Sequence, residues 1–133
     1  MLNPYIHFQG NCREAMTAYN EILGGSLEVM TYGDVPNGPP NFTDSKQIIH
    51  SHLTLPDQGN LMASDYPPGQ ESHPQKSVTV SITFGTIEES RKIFDKLSEG
   101  GEVGMPFGPS FFSSGFGMVR DRFGTHWMVV TQP

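Results

Sequence analysis

Two stretches of this chain are versions of each other. "FQGNCREAMTAYNEILGG" and "TFGTIEESRKIFDKLSEGG" align with Gly10 on Gly85, Asn11 on Thr86, Glu14 on Glu89, Tyr19 on Phe94 and Gly25 on Gly100, each pair 75 positions apart. After a one-residue slip, Glu28-Val29 falls on Glu102-Val103. A repeat of this length in 133 residues restricts the fold to two copies of one small unit. The matched residues are mechanical ones. Asn11 and Thr86 are N-cap types, each with a glutamate three residues on, the pattern of a capping box. Ala15, Ala18, Tyr19 and Ile22 form an apolar stripe at helical spacing, and Ser90, Ile93, Phe94 and Leu97 form its counterpart. Gly24-Gly25 and Gly100-Gly101 suit the C-terminal caps. The spacing predicts helices at Asn11–Leu23 and Thr86–Ser98.

A strand-like run precedes each helix, "PYIHF" and "VTVSITF". Three follow each: "SLEVMTYG", "IIHSHLTL" and "NLMASDY", then "GEVGMPF", "FGMVRDRF" and "THWMVV". "DRFG" reads as the turn joining the last two, with Gly124 taking the special backbone angle. Each copy is β-α-β-β-β. The expected architecture is α+β: a single domain, 1–133, of two tandem modules, about 1–67 and 76–133. A helix with one apolar stripe covers one face of its mixed sheet, so the other face is closed by something else or forms a cleft. "GDVPNGPPNFTDS" and "DYPPGQESHPQK" have neither period and read as loops. "MPFGPSFFSSGFG" carries Phe107, Phe111, Phe112 and Phe116 among glycines and serines, and is either core filler or an aromatic cover for a cleft.

Composition narrows the setting. The single cysteine, Cys12, cannot form an internal bridge and points to a reducing compartment. No run approaches the ~20 apolar residues that span a bilayer. "MLNPYIHFQG" lacks the basic and apolar regions of a signal peptide. The expectation is a soluble, cytoplasmic protein without a membrane partner. A net charge of −6 argues against nucleic acid, and Arg120 with Arg122 reads as a solvated strand face.

Strand alternation assigns faces. Ile6 and Phe8 share one parity in the first strand, Tyr5 and His7 the other. Val78, Val80, Ile82 and Phe84 are opposed by Thr79, Ser81 and Thr83. In "IIHSHLTL", Ile49, Leu53 and Leu55 oppose His50, His52 and Thr54. In the last strand, Trp127 and Val129 oppose His126, Met128 and Val130. With the apolar parity against the helix, His7, His50, His52 and His126 look at the non-helical face. Met62 and Ser64 alternate with Leu61 and Ala63 and join them. The predicted ligand-binding set is therefore His7, His50, His52, Met62, Ser64, His126 and Met128, covered by Phe112 and Phe116. A neutral imidazole carries one donor and one acceptor, so a few can orient a polar ligand in an otherwise apolar pocket. His73 and Asp65 read as loop and turn residues, and Cys12 as a small packing residue.

"PYIHFQGNCREAMTAYNEILGG", "SDYPP", "FDKLSEGGEVGMPF" and "GFGMVRDRFGTHWMVV" together resemble the PhnB-like branch of the vicinal oxygen chelate superfamily, which includes glyoxalase I and the bleomycin- and fosfomycin-resistance proteins. The resemblance runs from the first strand to the last. It implies paired β-α-β-β-β modules whose sheets curl around a cleft. In metal-dependent members it implies a divalent ion held by three side chains. The matching positions here are Pro4 or Tyr5, with His7 as a displaced candidate, then Thr79 or Val80, then Met128. A thioether is a poor ligand for hard or borderline ions. Proteins of this branch are sometimes labelled demethylubiquinone methyltransferases, but the chain lacks a glycine-rich strand-to-helix turn for a nucleotide-like cofactor.

The expectation is a small-molecule binding protein with no cofactor and no metal triad, paired as a homodimer. The competing expectation is a metal-dependent lyase, isomerase or dioxygenase in which His50 and His52, with His126 or His7, form a rearranged site. A third is an interaction protein whose methionines and phenylalanines serve a dimer interface.

Overall fold

The computed structural model describes residues 1–133. The chain divides into two compact units, Met1–Pro74 and Gln75–Pro133. The first contains β1 (Tyr5–Phe8), α1 (Cys12–Leu23), β2 (Ser26–Thr31), β3 (Ile48–Leu55) and β4 (Gly59–Asp65). The second contains β5 (Val80–Phe84), α2 (Ile87–Ser98), β6 (Glu102–Gly108), β7 (Phe116–Arg120) and β8 (His126–Thr131). Each unit has one open four-stranded sheet, ordered β1-β4-β3-β2 and β5-β8-β7-β6. The pairs β1–β4 and β5–β8 are parallel and the rest antiparallel, so both sheets are mixed. No helix is long and apolar enough to cross a membrane.

Each helix covers one face of its sheet. In the first unit Cys12, Ala15, Met16 and Tyr19 are fully buried, with Phe8, Leu53 and Ala63. In the second, Ile93, Phe94 and Leu97 pack with Ile82, Val119, Trp127 and Val129. Gly117 allows this approach: a Cβ there would stand 2.5 Å from Phe94 Cε1. Gly24 (φ 71°) closes α1 in the left-handed conformation and donates its N–H to the Asn20 carbonyl. Gly124 (φ 96°) takes the predicted place in the Asp121–Gly124 turn.

The helix starts differ from the capping-box pattern. Thr86 Oγ1 accepts from the Glu89 N–H at 3.2 Å, half of the expected box. Asn11 makes no side-chain cap. Its place is taken by Asp65, which is not the turn residue expected. Asp65 ends β4 and is 1% exposed. Its carboxylate accepts from Gly10 N at 3.0 Å, Cys12 N at 2.9 Å and Ile48 N at 2.8 Å, joining the start of α1 to the start of β3. A carboxylate at a helix N-terminus also meets the positive end of the helix dipole. The Tyr32 hydroxyl donates to the Asp65 carbonyl at 2.7 Å, and burial beside that carboxylate raises the phenol's pKa.

Two parity expectations change. Met30 pairs with His50 but Thr31 with Ile48, an irregularity at the start of β3. It puts Ile48, not Ile49, in the core and leaves the His50, His52, Thr54 parity intact. Val78 precedes β5 and is 69% exposed, so it does not join Ile82 and Phe84 beneath α2.

Candidate functional site

The site begins with the face of the first sheet that α1 leaves uncovered. Register lays two cross-strand rows there. One runs Tyr5, Met62, His52, Glu28. The other carries His7 beside Ser64 and His50 beside Met30. Five of the predicted residues, His7, His50, His52, Met62 and Ser64, thus share one face of one sheet.

Their polar atoms are already organised. Tyr5 Oη lies 3.0 Å from His50 Nδ1, His7 Nδ1 lies 3.2 Å from Ser64 Oγ, and His52 Nε2 lies 2.8 Å from Asn60 Oδ1. Each imidazole is oriented through one nitrogen and keeps the other for a further partner. The rings form a connected surface. Centroid separations are 5.3 Å for Tyr5–His7, 5.7 Å for Tyr5–His50, 5.7 Å for His7–Tyr66 and 6.5 Å for His50–His52. His7 and His50 are exposed, His52 and Met62 half-buried, and Ser64 buried, its hydroxyl meeting this face through the hydrogen bond with His7. His73 is exposed, as expected, with its ring 6.5 Å from Tyr66. Tyr5, Asn60 and Tyr66 were missing from the predicted set. Tyr5 shares the parity of His7, which was the available signal. Asn60 and Tyr66 reach the face through strand pairing and a strand end.

The second unit places Phe116, His126 and Met128 on the face opposite α2. Cross-strand pairs there are Phe116 with Val130, Met118 with Met128 and Arg120 with His126. The aromatic residues of the long segment separate. Phe107 lies beside α2, its ring centroid 5.7 Å from that of Phe94 and the Arg91 guanidinium 4.8 Å above it. Phe116 belongs to β7, not to the loop, and is 7% exposed. Phe112 packs edge-on against it at 4.9 Å, and Phe111 against Phe112 at 5.2 Å. The loop is held by Ser113, whose hydroxyl donates toward the Gly115 and Thr131 carbonyls.

An open cavity of about 430 Å³ lies on this second sheet, bordered by Thr79, Met105, Met118, Arg120 and His126 among others. Arg120, read from the sequence as part of a solvated strand face, was missing from the predicted set; its place two residues beyond Met118 in β7 was the available signal. Arg120 and Glu102 make an exposed ion pair at 3.9 Å. Arg122 instead sits in the turn, its guanidinium 4.4 Å from the Phe123 ring.

Cys12 is packing, as expected. It is fully buried, its thiol 3.6 Å from Ser51 Oγ, and burial pushes its pKa from the ordinary 9.0 up to about 12. A thiol held protonated is a poor nucleophile despite its place at a helix start.

Two open mixed sheets, each made as β-α-β-β-β with a helix on one face, define a protein of the glyoxalase/bleomycin-resistance fold. A glyoxylase/bleomycin resistance protein/dioxygenase domain from Frankia sp. EAN1pec shares this fold at 14% identity, with a TM-score of 0.66 over 99% of this chain and 94% of that one. The chain belongs to the family described as 3-demethylubiquinone-9 3-methyltransferase, whose model matches residues 1–130. Protein PA1353 from Pseudomonas aeruginosa is similar at 41% identity and a TM-score of 0.90, covering 99% of this chain and 97% of that one. A putative 3-demethylubiquinone-9 3-methyltransferase, PhnB protein, from Bacillus cereus is similar at 25% identity and a TM-score of 0.76, covering 98% of each chain.

The resemblance to the vicinal oxygen chelate superfamily implies a divalent ion at three positions of this chain. Tyr5 is bonded to His50, Thr79 and Val80 are not usual ligands, and Met128 offers a thioether. No group of three or more His, Cys, Asp or Glu side chains is placed to hold a metal ion. These residues do not fit the divalent ion of the metal-dependent members.

Proposed function

We propose that this PhnB-like protein binds a small organic molecule on the non-helical faces of its sheets, without the usual metal triad. The observation that carries the reading is the oriented imidazole face of the first unit. His7, His50 and His52 are each tied by one nitrogen to a neighbour, leaving the second nitrogen for a ligand. Aligned donors and acceptors beside Met62 and the Tyr5 ring suit a ligand with both polar and flat apolar parts. Met118, Met128, His126, Phe112 and Phe116 are the ligand-facing groups of the second unit. Methyl transfer, the activity in the family's description, requires a donor cofactor. Neither Gln9–Asn11 nor Gly85–Thr86 has the glycine run that nucleotide-like cofactors use.

Chemical-shift titration of the full-length protein with a fragment library tests the reading. Binding ligands are expected to move the ring signals of His7, His50 and His52. Fragments that bind and leave all three unmoved would place the site elsewhere. The homodimer is a further part of the proposal, motivated by the unpaired outer edges of the two open sheets. Light scattering that returns a single-chain mass at micromolar concentration would exclude it.

A further inference from the structure

We propose that the second unit recognises a carboxylate carried on an apolar body, in the cavity beside Arg120. The inference rests on the small-molecule reading above and supplies the ligand's chemical class. The cavity, about 430 Å³, has the volume of an ordinary small-molecule site. Met105 and Met118, cross-strand partners, lie on its apolar side. Thioether side chains adapt to varied apolar shapes.

One polar row borders this floor. Arg120 pairs across the strands with His126 on one side and Glu102 on the other, and Thr79 lines the same cavity. Thr79, Arg120 and His126 can donate hydrogen bonds, against the single carboxylate of Glu102. A guanidinium offers a planar fork that matches a carboxylate with two parallel bonds. Its present partner holds it loosely. The Arg120–Glu102 separation of 3.9 Å is long, and the two side chains are 49% and 83% exposed. Such a pair contributes little, so a ligand carboxylate can replace Glu102, which turns to water. The chain carries a net charge of −6, so a cation on the rim of an apolar cavity is a local exception to its surface.

The test uses full-length protein with methyl-labelled methionine, titrated with three matched probes: 3-phenylpropionate, 3-phenylpropionamide and 3-phenylpropylamine. The carboxylate is expected to shift the Met105 and Met118 methyl signals and to bind about tenfold more tightly than the amide. Arg120→Gln is expected to remove that advantage by weakening carboxylate binding about tenfold, with a much smaller effect on the amide, which makes no charge-assisted bond. Glu102→Gln is expected to strengthen carboxylate binding roughly two- to fivefold, because it removes a competitor for the guanidinium. Both side chains are exposed, and backbone N–H signals unchanged away from the cavity confirm the fold of each variant. Equal binding of carboxylate and amide, or an Arg120→Gln variant that keeps the preference, overturns the carboxylate assignment and leaves the small-molecule reading standing. Tightest binding by the amine would assign the rim to Glu102 and overturn it as well. If no probe moves either methyl, the inference fails, while the histidine titration decides the broader reading independently.

Discussion

Replacing Asp65 tests the account of how the first unit holds its shape. The carboxylate is 1% exposed and accepts three backbone N–H groups, from Gly10, Cys12 and Ile48. Asp65→Ala leaves three donors without an acceptor, two of them buried and that of Gly10 part-buried. Hydrogen bonds to a charged group contribute about 1.5–3 kcal/mol each. Relief from burying the charge, and water entering the vacated space, offset part of the sum. The net loss expected is about 3–5 kcal/mol, the sum of three such bonds less those offsets. Asp65→Asn separates charge from shape. Its carbonyl oxygen can stand where Oδ1 stands and keep Gly10 and Cys12, but its amide then meets the Ile48 N–H, donor against donor. About 2 kcal/mol is expected for that single failed contact. Urea unfolding followed by far-ultraviolet circular dichroism measures both variants. Amide exchange at Cys12 and Ile48 shows whether the loss is local. An Asp65→Ala loss below about 1 kcal/mol, or unchanged exchange at those amides, would refute the reasoning.

Burial raises the Cys12 pKa from 9.0 to about 12. The unfolded thiol therefore loses its proton first, and stability falls as pH rises above about 9; Cys12→Ala is expected to flatten that slope, read from urea midpoints across mildly alkaline pH. The native thiol is expected to resist Ellman's reagent until the protein unfolds, and prompt reaction at neutral pH would contradict its burial. Gly117→Ala puts a methyl 2.5 Å from Phe94 Cε1, so about 1–3 kcal/mol of overpacking should appear as a lower urea midpoint. Untagged protein is expected to hold well under one metal ion per chain by elemental analysis. Near one ion, lost in a His50→Ala/His52→Ala double variant, would favour the lyase, isomerase or dioxygenase alternative.

The amino-acid order alone determined the element sequence, because local chemistry carries it. Helical stripes, glycine stops and alternating strands need only near neighbours to be read. α1 and α2 accordingly fall within a residue of their predicted limits, at Cys12–Leu23 and Ile87–Ser98. Alternation also set which parity of β3 and β8 is polar, so the common face of His50 and His52 was legible. Tertiary structure decided what depends on distant partners. Asn11 looks like an N-cap, yet a carboxylate more than fifty residues away takes the Cys12 N–H. Ile48 displaced Ile49 from the core because β2 and β3 pair irregularly there. "MPFGPSFFSSGFG" has no period, and only packing could send Phe107 toward α2 and Phe116 to the opposite face. The pairing of Tyr5 with His50 likewise needs two strands 45 residues apart to enter one sheet. Periodicity places a side chain on a face, whereas its partner depends on which strands lie beside it.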